Sequence, residues 1–177
     1  MAPDETACRR IVDSALQGGG LFAVCHVMRY QPYTRRLKQL LDEGAVGDLV
    51  SIQHLEPVGY WHQAHSYVRG NWRREATSSP MLLAKSCHDL DWLRHLFGVP
   101  CEAVSSFGSL THFRPEHRPA GAAERCLDCP VEPDCPYSAV KIYLGRVRAG
   151  HTSWPVDILA PEPNEETITE ALRHGPY

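Results

Sequence analysis

The chain has 177 residues, enough for one domain with a proper core or for one domain and part of another. A formal net charge of -3, a pI near 6.3 and the lack of any dense Lys/Arg run argue against nucleic acid as a partner. No window approaches the ~20 consecutive apolar residues of a membrane span, and the opening residues do not resemble a signal peptide. A cytoplasmic protein is the expectation, and its seven cysteines read as thiols or metal ligands rather than as a disulfide framework.

Taken in order, Ala7, Ile11, Val12 and Ala15 mark an amphipathic helix over residues 4–16, ended by Gly18, Gly19 and Gly20. The apolar run 21–25 reads as a strand buried on both faces of a parallel sheet. Helix then strand is the closing half of an α/β unit. It is the reverse of the strand, glycine turn and helix order of a dinucleotide fingerprint, so the glycines are a terminator and not a phosphate loop. A second helix is predicted over 33–43, with Leu37, Leu40 and Leu41 on its buried face and Gly44 as its cap. Residues 49–57 alternate Leu49, Ser51 and Gln53 with Val50, Ile52 and His54, the pattern of a half-exposed strand.

Residues 60–75 carry aromatics and cations without a period and read as a loop: Trp61, His62, His65, Tyr67, Arg69, Trp72, Arg73 and Arg74. Arg beside Trp suits a polar ligand with hydroxyls or a carboxylate. The central helix follows over residues 79–97, with Ser79 as N-cap, Pro80 at its first position and Gly98 as a left-handed cap. Leu83, Cys87, Leu90, Leu93 and Phe97 would form its packed face, with Lys85, His88, Asp91 and His95 opposite. A His with a carboxylate three residues on and an ammonium three residues back suits a general acid or base, although such a face also serves simply as solvated surface.

Residues 101–113 alternate again and predict a second strand. After a Pro-punctuated loop come Cys126, Cys129 and Cys135, a Cys-x₂-Cys pair with a third thiol six residues further. That spacing suits a structural zinc or an iron–sulfur group, with His112, His117, Asp128, Cys101 or water in the fourth position, or else three reduced thiols in a turn-rich loop. A short helix over 138–147, a Pro-rich link and a last helix over 165–174, capped by Asn164 and stopped by Gly175 and Pro176, complete the chain.

The order of these pieces is recognisable. A strand leading into His26-Val27-Met28-Arg29-Tyr30-Gln31-Pro32, a helix closing with Asp42-Glu43-Gly44-Ala45-Val46-Gly47, a strand, an Asn71-Trp72-Arg73 segment and a helix carrying His88-Asp89-Leu90-Asp91 resemble the glucose–fructose oxidoreductase, inositol dehydrogenase and rhizopine catabolism (Gfo/Idh/MocA) family. The resemblance implies an NAD(P)-dependent dehydrogenase acting on a sugar or cyclitol hydroxyl. It also implies the end of a Rossmann domain over 1–28, then over 29–177 a substrate-binding α+β domain: an open, mostly antiparallel sheet with helices on one face, through which copies associate as a homo-oligomer. His88 matches the family's catalytic histidine. The family's aspartate four residues earlier is Ala84 here, leaving Lys85 and Asp91 as the charged helpers. Tyr30, Arg69, Trp72 and Arg73 are the candidates for holding a sugar-like substrate. The Gly-rich fingerprint and the Glu-Lys-Pro lysine would lie upstream of Met1, so the chain is expected to be a fragment without the NAD or NADP site. Two other functions fit the same resemblance: a non-catalytic assembly module, and an NAD-dependent glycosidase of the same fold.

Overall fold

Local capping rules account for most of the helices. A computed structural model of the chain describes residues 2–177. Helix α1 (Glu5–Gly18) begins where the Asp4 carboxylate accepts a hydrogen bond from the Ala7 amide and ends at Gly19 in the left-handed region, φ 64°. The glycine triplet is a terminator, as its place after a helix requires. Helix α2 (Pro32–Asp42) opens on Pro32. Helix α7 (Glu165–His174) is held by a reciprocal capping box between Asn164 and Thr167, and Arg125 donates to the carbonyls of Leu172 and Gly175 at its other end.

The central helix is broken in two. Helix α4 (Met81–Ala84) stops at Lys85, and α5 (Cys87–Phe97) restarts after Ser86 and closes on Gly98 at φ 74°. Its buried positions are Asp89, Trp92 and Leu96, whereas Leu90 is 57% exposed and Leu83 and Phe97 also face solvent. The expected leucine face is therefore not the packed one. Trp92 decides the rotation: its indole N–H donates to the buried Thr34 hydroxyl of α2 at 3.0 Å, and its ring lies against Tyr33 and His54. A large ring that also satisfies its polar edge outweighs branched residues offering only area.

The segment read as a loop over 60–75 is mostly helical. Helix α3 (Tyr60–Gln63) runs into a π-helical stretch, Ala64–Arg69, that buries Ala64, His65 and Ser66. Gly70 ends it because a Cβ there would lie 2.1 Å from the His65 carbonyl oxygen. Mixed cationic and aromatic composition hid the helix, since its buried side is made of rings and small residues rather than aliphatics.

The larger correction concerns the fold class. Neither the α/β remnant nor the open antiparallel sheet is present: among the described residues no segment pairs as a strand. Residues 21–25, 49–57 and 101–111 form no regular element and pair with no other segment as strands, leaving Val50 88% and Phe107 96% exposed. Alternation dictates which side chains share a face, but a strand exists only when a second backbone takes up its amides and carbonyls, and these three segments do not do that for one another.

The chain divides into two compact units, one of Met1–Glu56 with Glu75–Ser106 and one of Pro57–Arg74 with Phe107–Tyr177. The second holds the hydrophobic core. The π-helical stretch Val140–Leu144, which runs on into α6 (Gly145–Arg148), buries Ile142, Tyr143 and Leu144 against Ile168 and Leu172 of α7 and against Val156 and Ala160.

Candidate functional site

The side chains of α5 that carry chemistry all fall in the first unit. His88 and Asp91, one turn apart, face the short 3₁₀ turn Val27–Tyr30 and the residue before it. Arg29 grips Asp91 in a two-pronged pair, its Nε donating to Oδ2 at 2.7 Å and its Nη2 to Oδ1 at 2.5 Å. Those hydrogen bonds hold the Asp91 carboxyl below its ordinary range and raise the guanidinium, so both are charged throughout the neutral range. His26 joins them: its Nε2 lies 3.9 Å from Asp91 Oδ1, and its ring meets His88 edge-on with centroids 5.7 Å apart.

Two polar atoms in this cluster are buried without a hydrogen-bond partner, Nδ1 of His26 and Nδ1 of His88. Buried imidazole nitrogens are normally satisfied, so the pair marks a place suited to a polar group that the chain does not itself supply. On the flank of α5, His54 Nε2 lies in hydrogen-bond contact with Asp89 Oδ1 at 3.0 Å, and Lys85 pairs with Glu56 at 3.0 Å.

Of the residues singled out in the sequence, His88 and Asp91 come together here and Lys85 is turned toward Glu56. Tyr30 is 64% exposed beside Arg29, lining a shallow hollow with Arg35, Lys38 and His95. Arg69, Trp72 and Arg73 belong to the second unit. There Arg69 donates to the Tyr137 carbonyl, with its Nη1 buried and unpartnered, and Arg73 donates to the Gly70 carbonyl. The half-exposed Trp72 ring lies 6.1 Å from Tyr67. His26, Arg29, His54, Glu56 and Asp89 were not among the chosen site residues. Signals for them existed: His26 and Arg29 sit within the seven-residue run that carries the resemblance, and His54 and Glu56 are two apart in an alternating segment and share a face.

The three thiols were a candidate metal centre. Among the described residues one group of three metal-ligating side chains converges, and it is His54, Glu56 and Asp89, not the cysteines. Cys126, half-buried, packs against the core of the second unit and accepts a hydrogen bond from the Ala139 amide at 3.5 Å. Cys129 and Cys135 sit on either side of the 3₁₀ turn Glu132–Asp134. The dinucleotide is not matched by these residues either: the glycine run closes α1, where exposed carbonyls disfavour a pyrophosphate.

Residues 38–141 match the family model described as the oxidoreductase family, C-terminal alpha/beta domain. The chain belongs to the Gfo/Idh/MocA oxidoreductase family. Its relatives in this family include "Putative oxidoreductase YteT" of Bacillus subtilis, 25% identical over 72% of this chain and 31% of that protein. An "Uncharacterized oxidoreductase" of Streptococcus pneumoniae is 26% identical over 62% of the chain and 29% of its own length. The 2,7-anhydro-N-acetylneuraminate hydratase of Escherichia coli is 27% identical over 61% and 28%. The chain thus spans about three-tenths of the length of the curated relatives it matches. No solved structure matches it. The matched residues 38–141 include α5 and with it His88.

Proposed function

We propose that this chain provides the substrate side of an NAD(P)-dependent oxidoreductase acting on a hydroxyl of a sugar or cyclitol, with His88 as the general acid–base. The observation that carries the reading is the unpartnered, buried Nδ1 of His88 beside the similarly unpartnered His26. A substrate hydroxyl set against that nitrogen would complete its hydrogen bonding and stand where its proton can be taken or returned. Membership in an oxidoreductase family and the sugar derivative named for the hydratase relative support the reaction and substrate class.

In this reading Asp91, kept ionised by Arg29, faces His26, while the edge-on contact between the two rings orients His88. Nicotinamide dinucleotide, when bound, supplies the hydride acceptor. Lys85, turned toward Glu56, contributes charge to the same helix end rather than a proton. Tyr30, exposed beside Arg29, is a substrate contact in this reading.

Oxidation of a panel of aldoses and cyclitols, followed by nicotinamide absorbance in the protein that carries this chain, tests the reading. His88→Ala should lower kcat by ~10²–10⁴-fold with little change in KM, because a general acid or base acts on the transition state. An unchanged kcat would return His88 to a structural role. The hydratase relative favours one second reading, turnover of a sugar derivative with no net change in the nicotinamide. Product analysis separates the two.

A further inference from the structure

On the other flank of α5 from His26, one group of side chains is built as a ligand set that no step above uses. His54, Glu56 and Asp89 each bring one ligand atom to within 4.8 Å of the others. The donors come from two elements for simple reasons. His54 and Glu56 are two apart on the irregular segment before α3, and Asp89 in the first turn of α5 meets them there. Asp89 is 7% exposed and Glu56 is open to solvent, which gives the group a buried inner donor and an access route. The imidazole is held in place by packing. Its ring packs 5.1 Å from that of Trp92, and the Trp92 indole is fixed in turn by Thr34.

We propose that His54, Glu56 and Asp89 form a site for a divalent transition-metal ion, Zn²⁺ or Mn²⁺. One imidazole nitrogen and two carboxylates are a donor set such ions accept, and three protein ligands leave a position open to water or substrate. Lys85 is the resident counter-charge: its ammonium lies 3.0 Å from Glu56, and an entering metal ion competes with Lys85 for Glu56. That competition separates a metal site from a closed ion-pair network. In a network alone, removing the ammonium creates no affinity for metal. The proposal stands apart from the hydride-transfer reading, since neither His88 nor the dinucleotide enters it.

The test is calorimetric titration of the metal-stripped chain with ZnCl₂, MnCl₂ and, for contrast, MgCl₂, with metal analysis after dialysis. One ion of Zn²⁺ or Mn²⁺ should bind per chain, and Mg²⁺ should bind at least ~10-fold more weakly. Glu56→Gln, an exposed change that spares the fold, and His54→Ala should each weaken binding ~10–100-fold. Lys85→Gln should tighten it several-fold, and replacing Cys126, Cys129 and Cys135 together by Ser should leave it unchanged. Circular dichroism checks that each variant is folded. Absence of saturable Zn²⁺ or Mn²⁺ binding overturns the proposal. Binding that survives Glu56→Gln and His54→Ala but disappears with the cysteines overturns it equally, as does a Lys85→Gln variant that binds no tighter than the parent.

Discussion

The two units hold themselves together by different means. The unit containing α7 buries a contiguous apolar set, Ala139, Ile142, Tyr143, Leu144, Val156, Ala160, Ile168 and Leu172. The unit containing α5 buries two large apolar residues, Trp92 and Leu96, with the polar Thr34 and Asp89. Around them it relies on directional pairs: Trp92 with Thr34, His54 with Asp89, and Arg29 with Asp91. Area burial is non-directional and tolerates imprecise placement, whereas hydrogen bonds and ion pairs work only in one geometry. The chemistry sits in the polar unit, where fixed geometry is useful, and the stability sits in the apolar one.

That contrast can be broken at either end. The largest effect belongs to the apolar unit: Leu172→Ala should cost ~2–5 kcal/mol through lost burial and a residual cavity, read as a shift of the denaturant midpoint. An effect below ~1 kcal/mol would mean that the core does not carry this unit.

Next comes pH. His65 is 3% exposed and within 2.7 Å of the Tyr143 hydroxyl, and burial lowers its pKa to about 4, with His62 and Arg69 adding. A folded-state pKa below the unfolded value of ~6.5 means that the unfolded chain binds the proton first. The stabilisation is therefore complete above pH ~6.5 and is lost as pH falls from there toward ~4, by roughly 2–3 kcal/mol. His65→Asn should flatten that stretch of the stability–pH curve, whereas an unaltered slope would assign it to other groups.

Arg29→Ala is the matching test in the polar unit. Asp91 keeps 13% of its side-chain surface exposed and would lose both donors of its pair, at a cost of ~1–3 kcal/mol. The loss should shrink as pH falls from the ordinary carboxylate range through the lowered pKa of Asp91 in the parent, below which the carboxyl is neutral in both variants. A cost that is the same at all pH values would point to packing of the guanidinium instead. The smallest effect sharpens the comparison at a local level: Asn164→Ala removes the α7 cap and should cost ~1 kcal/mol, with Asn164→Ser retaining most of it. Urea titration of both variants reads the difference.

What the sequence by itself determined is what depends on neighbours along the chain. The capping of α1 by Asp4 and Gly19 and of α7 by Asn164, the Gly98 stop of α5, and the helix turn that sets His88 beside Asp91 all follow from residues within a few positions of one another. The ordered set of motifs also led to the family that the match over 38–141 establishes. Everything that needed a partner from afar was decided by the tertiary structure. Alternation in residues 49–57 and 101–111 specified an amphipathic ribbon, yet without a second edge to take its hydrogen bonds the ribbon is no strand. The rotation of α5 was set by one long-range contact, Trp92 with Thr34, against the pull of its leucines. His26 and Arg29 reached the site, and the three cysteines formed no ligand set, for the same reason: spacing fixes which atoms can meet along a turn, and only packing fixes which meet across the fold.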